Sequence, residues 1–282
     1  MKGGDAPLLL PEQEGMALLE AAGVPVPEHG VATSPEEAGR IAGSIGFPVV
    51  MKVVSPQVVH KSDAGGVVSG IHSVEEARDA FRAISGSVLE KIPGAKISGI
   101  IVAKQYPQGF ELLVGGRTDP AFGKVITFGI GGTLVELLRD VSIRVLPVDR
   151  ATVEEMIDEI RGSRIIRGFR GSDPLDREAL VDAILRLAQL FEEDPDWYEF
   201  DINPLILYTR GCVAVDARVY LARGKEKETV APRPSPGESL FSPGSVAVIG
   251  ASSDPQKIGY VVLRNLLQFP GAVYPVNPKS QE

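Results

Sequence analysis

The chain has 282 residues, 44% of them hydrophobic and 23% charged, which is enough apolar material for one large or two modest globular domains. Its formal net charge of −8 argues against nucleic acid or an anionic membrane as partner, so any phosphate it binds must be met by local lysines and backbone amides. A single cysteine rules out an internal disulfide and a CxxC metal site, and three scattered histidines are too few for a zinc site.

A helix is expected after Pro11, ending at Gly23. Ser34-Pro35-Glu36-Glu37 opens a second helix, with a serine cap, proline in the first position and acids in the first turn. Pro48 to Val54 is a short apolar run holding one lysine, and reads as a buried strand. His60 to Gly66 reads as a loop, Gly66 to Ile71 as β-rich, and Ser73-Val74-Glu75-Glu76 as another helix start. Strands are expected at Ile97 to Ala103, Phe110 to Gly115 and Lys124 to Gly129. Residues 151 to 193 predict two helices around a Gly162-Ser163-Arg164 stretch expected to be mobile. Tyr198 to Tyr208 and Cys212 to Tyr220 predict paired strands joined at Thr209-Arg210-Gly211. A charged, proline-rich linker follows. Then come a strand at Ser245 to Ile249, a helix from about Lys257 to Gln268, and a strand at Ala272 to Val276. A lone β-α-β unit cannot bury both of its faces, so this second domain is expected to be incomplete or completed by another chain. No apolar run reaches about 18 residues and the N-terminus shows no signal pattern, so the expected location is cytoplasmic.

Lys52 lies inside an apolar strand and is followed by the glycine-bearing His60 to Gly66 loop. A buried ammonium needs an anionic partner, and glycines let amide N–H groups approach phosphate oxygens. Taken alone, the stretch is also compatible with an ordinary hairpin carrying a snorkelling lysine. Gly129-Ile130-Gly131-Gly132, with Glu136, Asp140 and Arg144 behind it, is either part of a site or a turn leading into a solvated helix face. Glu199, Asp201 and Asn203 alternate along one strand and so share a face, while Asp216 sits on the expected neighbouring strand. An Asn and an Asp so placed supply oxygen ligands for Mg²⁺; the bland alternative is a satisfied polar network at a sheet edge. Cys212, in an apolar run, reads as a small buried hydrophobe. His29 and His72 read as surface or strand-end residues.

With these motifs in order, residues 8 to about 220 resemble the ATP-grasp part of ADP-forming (NDP-forming) acyl-CoA synthetases, relatives of the succinyl-CoA synthetase beta subunit. The matching stretches run from Pro48 to Val53, His60 to Val67, Gly109 to Gly115, Phe128 to Gly132, Asp201 to Leu205 and Val215 to Ala217. Residues 241 to 282 resemble the start of a CoA-binding domain, through Ser245 to Ser252, Lys257 to Gly259 and Tyr274 to Lys279. The fold implied is α/β (α+β): an ATP-grasp domain of two subdomains over 1–220, a linker over 221–240, and an incomplete Rossmann-like β-α-β unit over 241–282.

The resemblance implies that Lys52 neutralises the α/β-phosphates of ATP or ADP. The backbone near Ala103 and Lys104 would meet the adenine edge, Glu111 the ribose, and Gly131 and Gly132 the phosphates. Asn203 and Asp216 would hold Mg²⁺, and the Gly250-Ala251-Ser252 loop would take CoA. His60 would be a second phosphate-relay histidine, and the principal one would belong to a CoA-binding/ligase (alpha-like) subunit or domain. The implied reaction joins a carboxylic acid to CoA with conversion of ATP to ADP and phosphate. The implied assembly is an oligomer with that partner, without nucleic acid or membrane. The rivals are a non-catalytic nucleotide-binding module and another ATP-grasp carboxylate ligase.

Overall fold

The computed structural model describes residues 7–58, 61–132, 140–222 and 243–277. The chain divides into two compact units, 1–224 and 225–282. In chain order the first half of unit one runs β1 (Leu8–Leu9), α1 (Glu12–Ala21), β2 (His29–Ala32), α2 (Pro35–Ile45), β3 (Val49–Val54), β4 (Val67–Ile71), α3 (Val74–Lys91) and β5 (Gly99–Lys104). The second half runs β6 (Phe110–Asp119), β7 (Gly123–Ile130), β8 (Val141–Val145), α4 (Arg150–Glu159), α5 (Ser163–Ile166), α6 (Arg177–Glu193), β9 (Trp197–Leu207), β10 (Cys212–Ala214) and β11 (Ala217–Leu221).

Strands β2-β5-β3-β4 form one antiparallel sheet. Two equivalent caps fix the helices that cover it. Ser34 Oγ accepts the Glu37 N–H at 3.2 Å, and Ser73 Oγ accepts the Glu76 N–H at 3.1 Å. Each glutamate reaches back to the amide just before its serine, Thr33 or His72, at 2.9 and 2.8 Å. These reciprocal bonds satisfy donors that a helix start otherwise leaves open. Ala38, Ala42, Ala77 and Ile84 of the two helices then bury Val49, Met51, Val53, Ile100 and Val102. Side chains alternate along a strand, so Lys52 projects from the sheet face opposite those helices.

The larger sheet follows β1-β11-β9-β6-β7-β8, with β10 paired to β9, all antiparallel. Its core packs α1, α4 and α6 against Leu112, Val114, Ile126, Phe128 and Ile202. Phe191 meets Phe200 edge-on at 5.2 Å between centroids, and Trp197 lies 5.7 Å from Phe200. Helix α1 packs on β11 at Gly15, where an added Cβ would sit 3.4 Å from Val219 Cγ2 and 3.6 Å from Ala217 O, in ordinary contact.

Several boundaries differ from the sequence expectation. Strands β1, β2 and β8 are too short or too weakly patterned to be read in advance, and β6 runs on to Asp119. The Cys212 to Tyr220 strand is broken into β10 and β11 at Val215-Asp216. The Gly162-Ser163-Arg164 stretch is a one-turn helix with Ser163 buried. Asp140 holds its entry by accepting the Arg161 and Gly162 amides, each at 2.9 Å. Among the described residues no helix is long and apolar enough to cross a membrane.

The second unit is the expected β-α-β: parallel β12 (Ser245–Ile249) and β13 (Ala272–Val276), joined through α7 (Ile258–Asn265) and a 3₁₀ turn at Leu266–Gln268. Gly259 is required by proximity, because a Cβ there would overlap the Gly250 carbonyl. Ile249, Ile258 and Leu267 are 85%, 82% and 77% exposed.

Candidate functional site

Lys52 leaves β3 on the helix-free face, and its ammonium donates to Val215 O at 2.7 Å and to Glu12 Oε1 at 3.0 Å. Glu12, in the first turn of α1, is only 7% exposed, and its other oxygen pairs with Lys61. Burial would raise the Glu12 carboxyl, but the two ammonium groups overcome this and hold it below the ordinary carboxylate value. Burial would likewise lower the Lys52 ammonium; the Glu12 and Asp216 charges reverse that and keep it raised, hence protonated. An ammonium has three donors, and two are accounted for, which leaves one for a ligand.

The break between β10 and β11 lies beside this group. Leu205 pairs with Ala214 and Ile202 with Ala217, so the register carries across the gap and sets Asn203 opposite Asp216. Asn203 Oδ1 accepts the Gly132 N–H at 2.8 Å. Asp216 Oδ1 is buried and accepts no hydrogen bond. A buried carboxylate oxygen without a donor is costly unless a cation meets it. The pair therefore fits Mg²⁺, which takes few protein oxygens and completes its shell with water and phosphate. Among the described residues no cluster of three His, Cys, Asp or Glu offers a denser metal cage. Two register positions away, Asp201 faces Arg218. Burial raises the Asp201 carboxyl, Arg218 opposes this, and Asp216 and Glu199 add to it.

Lys52, Lys61, Ser62, Asp63, Asp216 and Arg218 line one open cleft of about 350 Å³. The glycine loop after β7 lies against β6. Gly131 donates to Glu111 O at 2.9 Å, and the Glu111 carboxylate lies so close to Gly132 that an added Cβ would overlap it. Gly132 also needs its freedom of backbone, with φ at +67°. A larger open depression, about 600 Å³, lies along α7 beside Tyr260, Arg264 and Gln268, and contains none of the residues singled out by sequence.

The structure thus gathers Lys52, Glu111, Gly131, Gly132, Asn203 and Asp216 in one region. Ala103 is buried within the four-stranded sheet. The Lys104 N–H is taken by Glu28 O at 2.8 Å, and its ammonium binds Gly46 O and Phe47 O at 3.0 Å each. His60 and Glu136 lie outside the described residues. Arg144 pairs with Glu159 through two bonds of 3.1 Å, and Asp140 fastens the 161–162 corner, so both carry local structure. Cys212 is buried with its thiol pushed up to about 11 by burial. In the second unit Gly250 has φ +82°, and the Gly250 and Ala251 amides donate to Val276 O at 2.8 and 3.3 Å. Ser252 Oγ accepts the Asp254 N–H at 3.1 Å. The Gly250 loop therefore does not run straight into the helix: residues 253–257 intervene, and two of its amides are already bonded to β13.

Glu12 escaped the sequence reading, and Lys61 entered it only as part of the His60 to Gly66 loop, without its partner. Glu12 follows Pro11 as an ordinary first-turn acid would, and nothing local marks it as buried.

The family of the ATP-grasp domain matches residues 5–221, and that of the CoA binding domain matches 244–282. The beta subunit of acetate–CoA ligase [ADP-forming] I from Pyrococcus furiosus is 46% identical over 220 residues, covering 78% of this chain and 94% of that one. Acetate–CoA ligase [ADP-forming] II from Archaeoglobus fulgidus is 40% identical over 277 residues, 98% of this chain but only 39% of that longer protein. Among solved structures, the dinucleotide forming acetyl-coenzyme A synthetase 1 of Ca. Korarchaeum cryptofilum, in complex with coenzyme A, Ca-AMPCP and HgCl+, superposes with a TM-score of 0.73 at 45% identity. That match covers 76% of this chain and 93% of that one. The chain belongs to the ATP-grasp family, in the line of the ADP-forming acyl-CoA ligases, and carries a CoA-binding segment after the ATP-grasp domain.

Proposed function

We propose that this chain is the nucleotide-binding component of an ADP-forming acyl-CoA synthetase, acting in the cytoplasm with a ligase-type partner. The overall reaction is carboxylic acid + CoA + ATP ⇌ acyl-CoA + ADP + phosphate, with phosphoryl carried on histidine. The observation that carries the reading is the unpartnered, buried Asp216 oxygen set opposite Asn203 and beside the Lys52 ammonium. Phosphoryl transfer asks a protein chiefly for positioning and charge neutralisation, and this cleft is built of both.

In this reading Lys52 spends its remaining donor on the α/β-phosphates, and Gly131 and Gly132 let the phosphates approach the loop. Glu111, exposed on β6 beside Gly132, takes ribose hydroxyls as an acceptor. The adenine edge lies along the backbone at Ala103 and Lys104. Asn203 and Asp216 would hold Mg²⁺, which supplies neutralisation of the phosphate charge. His60 accepts phosphoryl through a neutral imidazole nitrogen and relays it to the partner. The Gly250-Ala251-Ser252 loop contributes to CoA binding.

The test combines the chain with an alpha-type ligase subunit and follows ADP and phosphate release from acetate, CoA and Mg-ATP. Turnover by the pair, lost in His60→Ala while Mg-ATP binding persists, is the expected result. Undiminished turnover of His60→Ala would remove His60 from the path, and no turnover by any pairing would return the chain to a binding module.

A further inference from the structure

We infer that Glu12 is a positioning residue for the nucleotide site: one carboxylate that holds both phosphate-facing lysines, Lys52 and Lys61, against the β10–β11 break that carries Asp216. The inference rests on the nucleotide-site reading above and adds to it a residue that touches neither nucleotide nor metal.

The first turn of α1 contains two acids, and they behave differently. Glu14 is exposed, as expected of an acid that complements a helix N-terminus. Glu12 is buried, and its two oxygens are divided between Lys52 and Lys61. The helix beneath it is fixed to β11, since Gly15 packs directly on Ala217 and Val219, just past Asp216. Lys52 belongs to the other sheet, yet it bonds Glu12 on one side and Val215 O on the other. The Lys52 ammonium is therefore tied both to Glu12 and to Val215, the residue before Asp216.

Lys61 is held at both ends. Its carbonyl accepts the Gly66 N–H at 2.7 Å, and Gly66 O in turn accepts the Val53 N–H at 2.8 Å, so its backbone is tied to β3. Among the described residues its ammonium bonds only Glu12. Without the carboxylate, two largely buried ammonium groups would remain side by side, a like-charge pair with no shared anion to orient it. Lys61 would turn to solvent, and the site would lose one placed cation.

The experiment is calorimetric titration of the whole chain with Mg-ATP, and with adenosine by competition, for wild type, Glu12→Gln, Glu12→Asp, Lys61→Met and the Glu12→Gln/Lys61→Met double variant. Loss of one charge-assisted contact predicts Mg-ATP binding weakened about tenfold or more in Glu12→Gln, with adenosine affinity unchanged. Glu12→Asp should recover to within about threefold of wild type, because a charged acceptor remains in place. The double variant should bind no worse than the weaker single one, since both changes remove the same contact. Mg-ATP binding in Glu12→Gln equal to or tighter than wild type would overturn the inference. So would an equal loss of Mg-ATP and adenosine affinity, which marks a folding defect, or additive effects in the double variant. Failure of the wild type itself to bind Mg-ATP is a separate result that takes down the nucleotide-site reading first.

Discussion

Replacing Gly131 by alanine tests whether the glycine loop is held by space as well as by backbone shape. Gly131 does not have a positive φ, so alanine is conformationally permitted there. The obstacle is β6: an added Cβ would overlap the Leu112 carbonyl and come within 2.9 Å of Leu112 Cα. Backbone cannot swing aside as a flexible side chain can, so the loop must lift. Lifting strains two bonds, Gly131 N–H to Glu111 O at 2.9 Å and Gly132 N–H to Asn203 Oδ1 at 2.8 Å. With overpacking at about 1–3 kcal/mol and each bond at about 1 kcal/mol net, the expected loss is about 3–5 kcal/mol. For a domain of this size that lowers Tm by about 6–20 °C, read by calorimetry or circular dichroism. Mg-ATP affinity should fall as well, because Asn203 loses the donor that orients it. A Gly131→Ala protein that melts and binds nucleotide as wild type does would refute the packing argument.

Other consequences follow from single groups. The Cys212 thiol, buried and pushed up to about 11, should resist iodoacetamide in the folded protein at pH 8 and react on unfolding; rapid native-state labelling would contradict its placement. Asp176 accepts the Ala179 and Gly211 amides at 3.0 and 2.7 Å, which holds its carboxyl below the ordinary 3.8. Its stabilisation is fully present above that value and is lost as pH falls through the lower folded-state value, so Asp176→Asn should flatten part of the acid limb of a stability–pH curve. An unchanged acid limb would show that these two bonds contribute nothing.

Much of the fold follows from local rules. The two Ser-x-x-Glu starts and Gly46 mark helix limits through capping, and alternation in Val49 to Val54 puts Lys52 on its own face. The Asn203 and Asp216 pairing was legible because two strands joined by a tight turn fix a register. What sequence hides is non-local. Glu12 and Lys61 are 49 residues apart, and an acid in a first helical turn has an adequate local explanation. Asp140 and Arg144 look like site charges beside a glycine loop, yet their partners, the 161–162 amides and Glu159, come from a later corner. Strand β8 exposes Val141, Ile143 and Val145 on one side, so its pattern does not resemble that of a buried strand.

The central claim is that Asn203 and Asp216 hold the metal that accompanies a nucleotide on Lys52. Titration of the chain with ATP, with and without Mg²⁺, beside Asp216→Ala, tests it most directly. The account predicts that wild type binds ATP more tightly with Mg²⁺, and that Asp216→Ala loses that gain, at least about 1.4 kcal/mol or tenfold, without a fall in Tm. Magnesium-enhanced binding that survives in Asp216→Ala would contradict it.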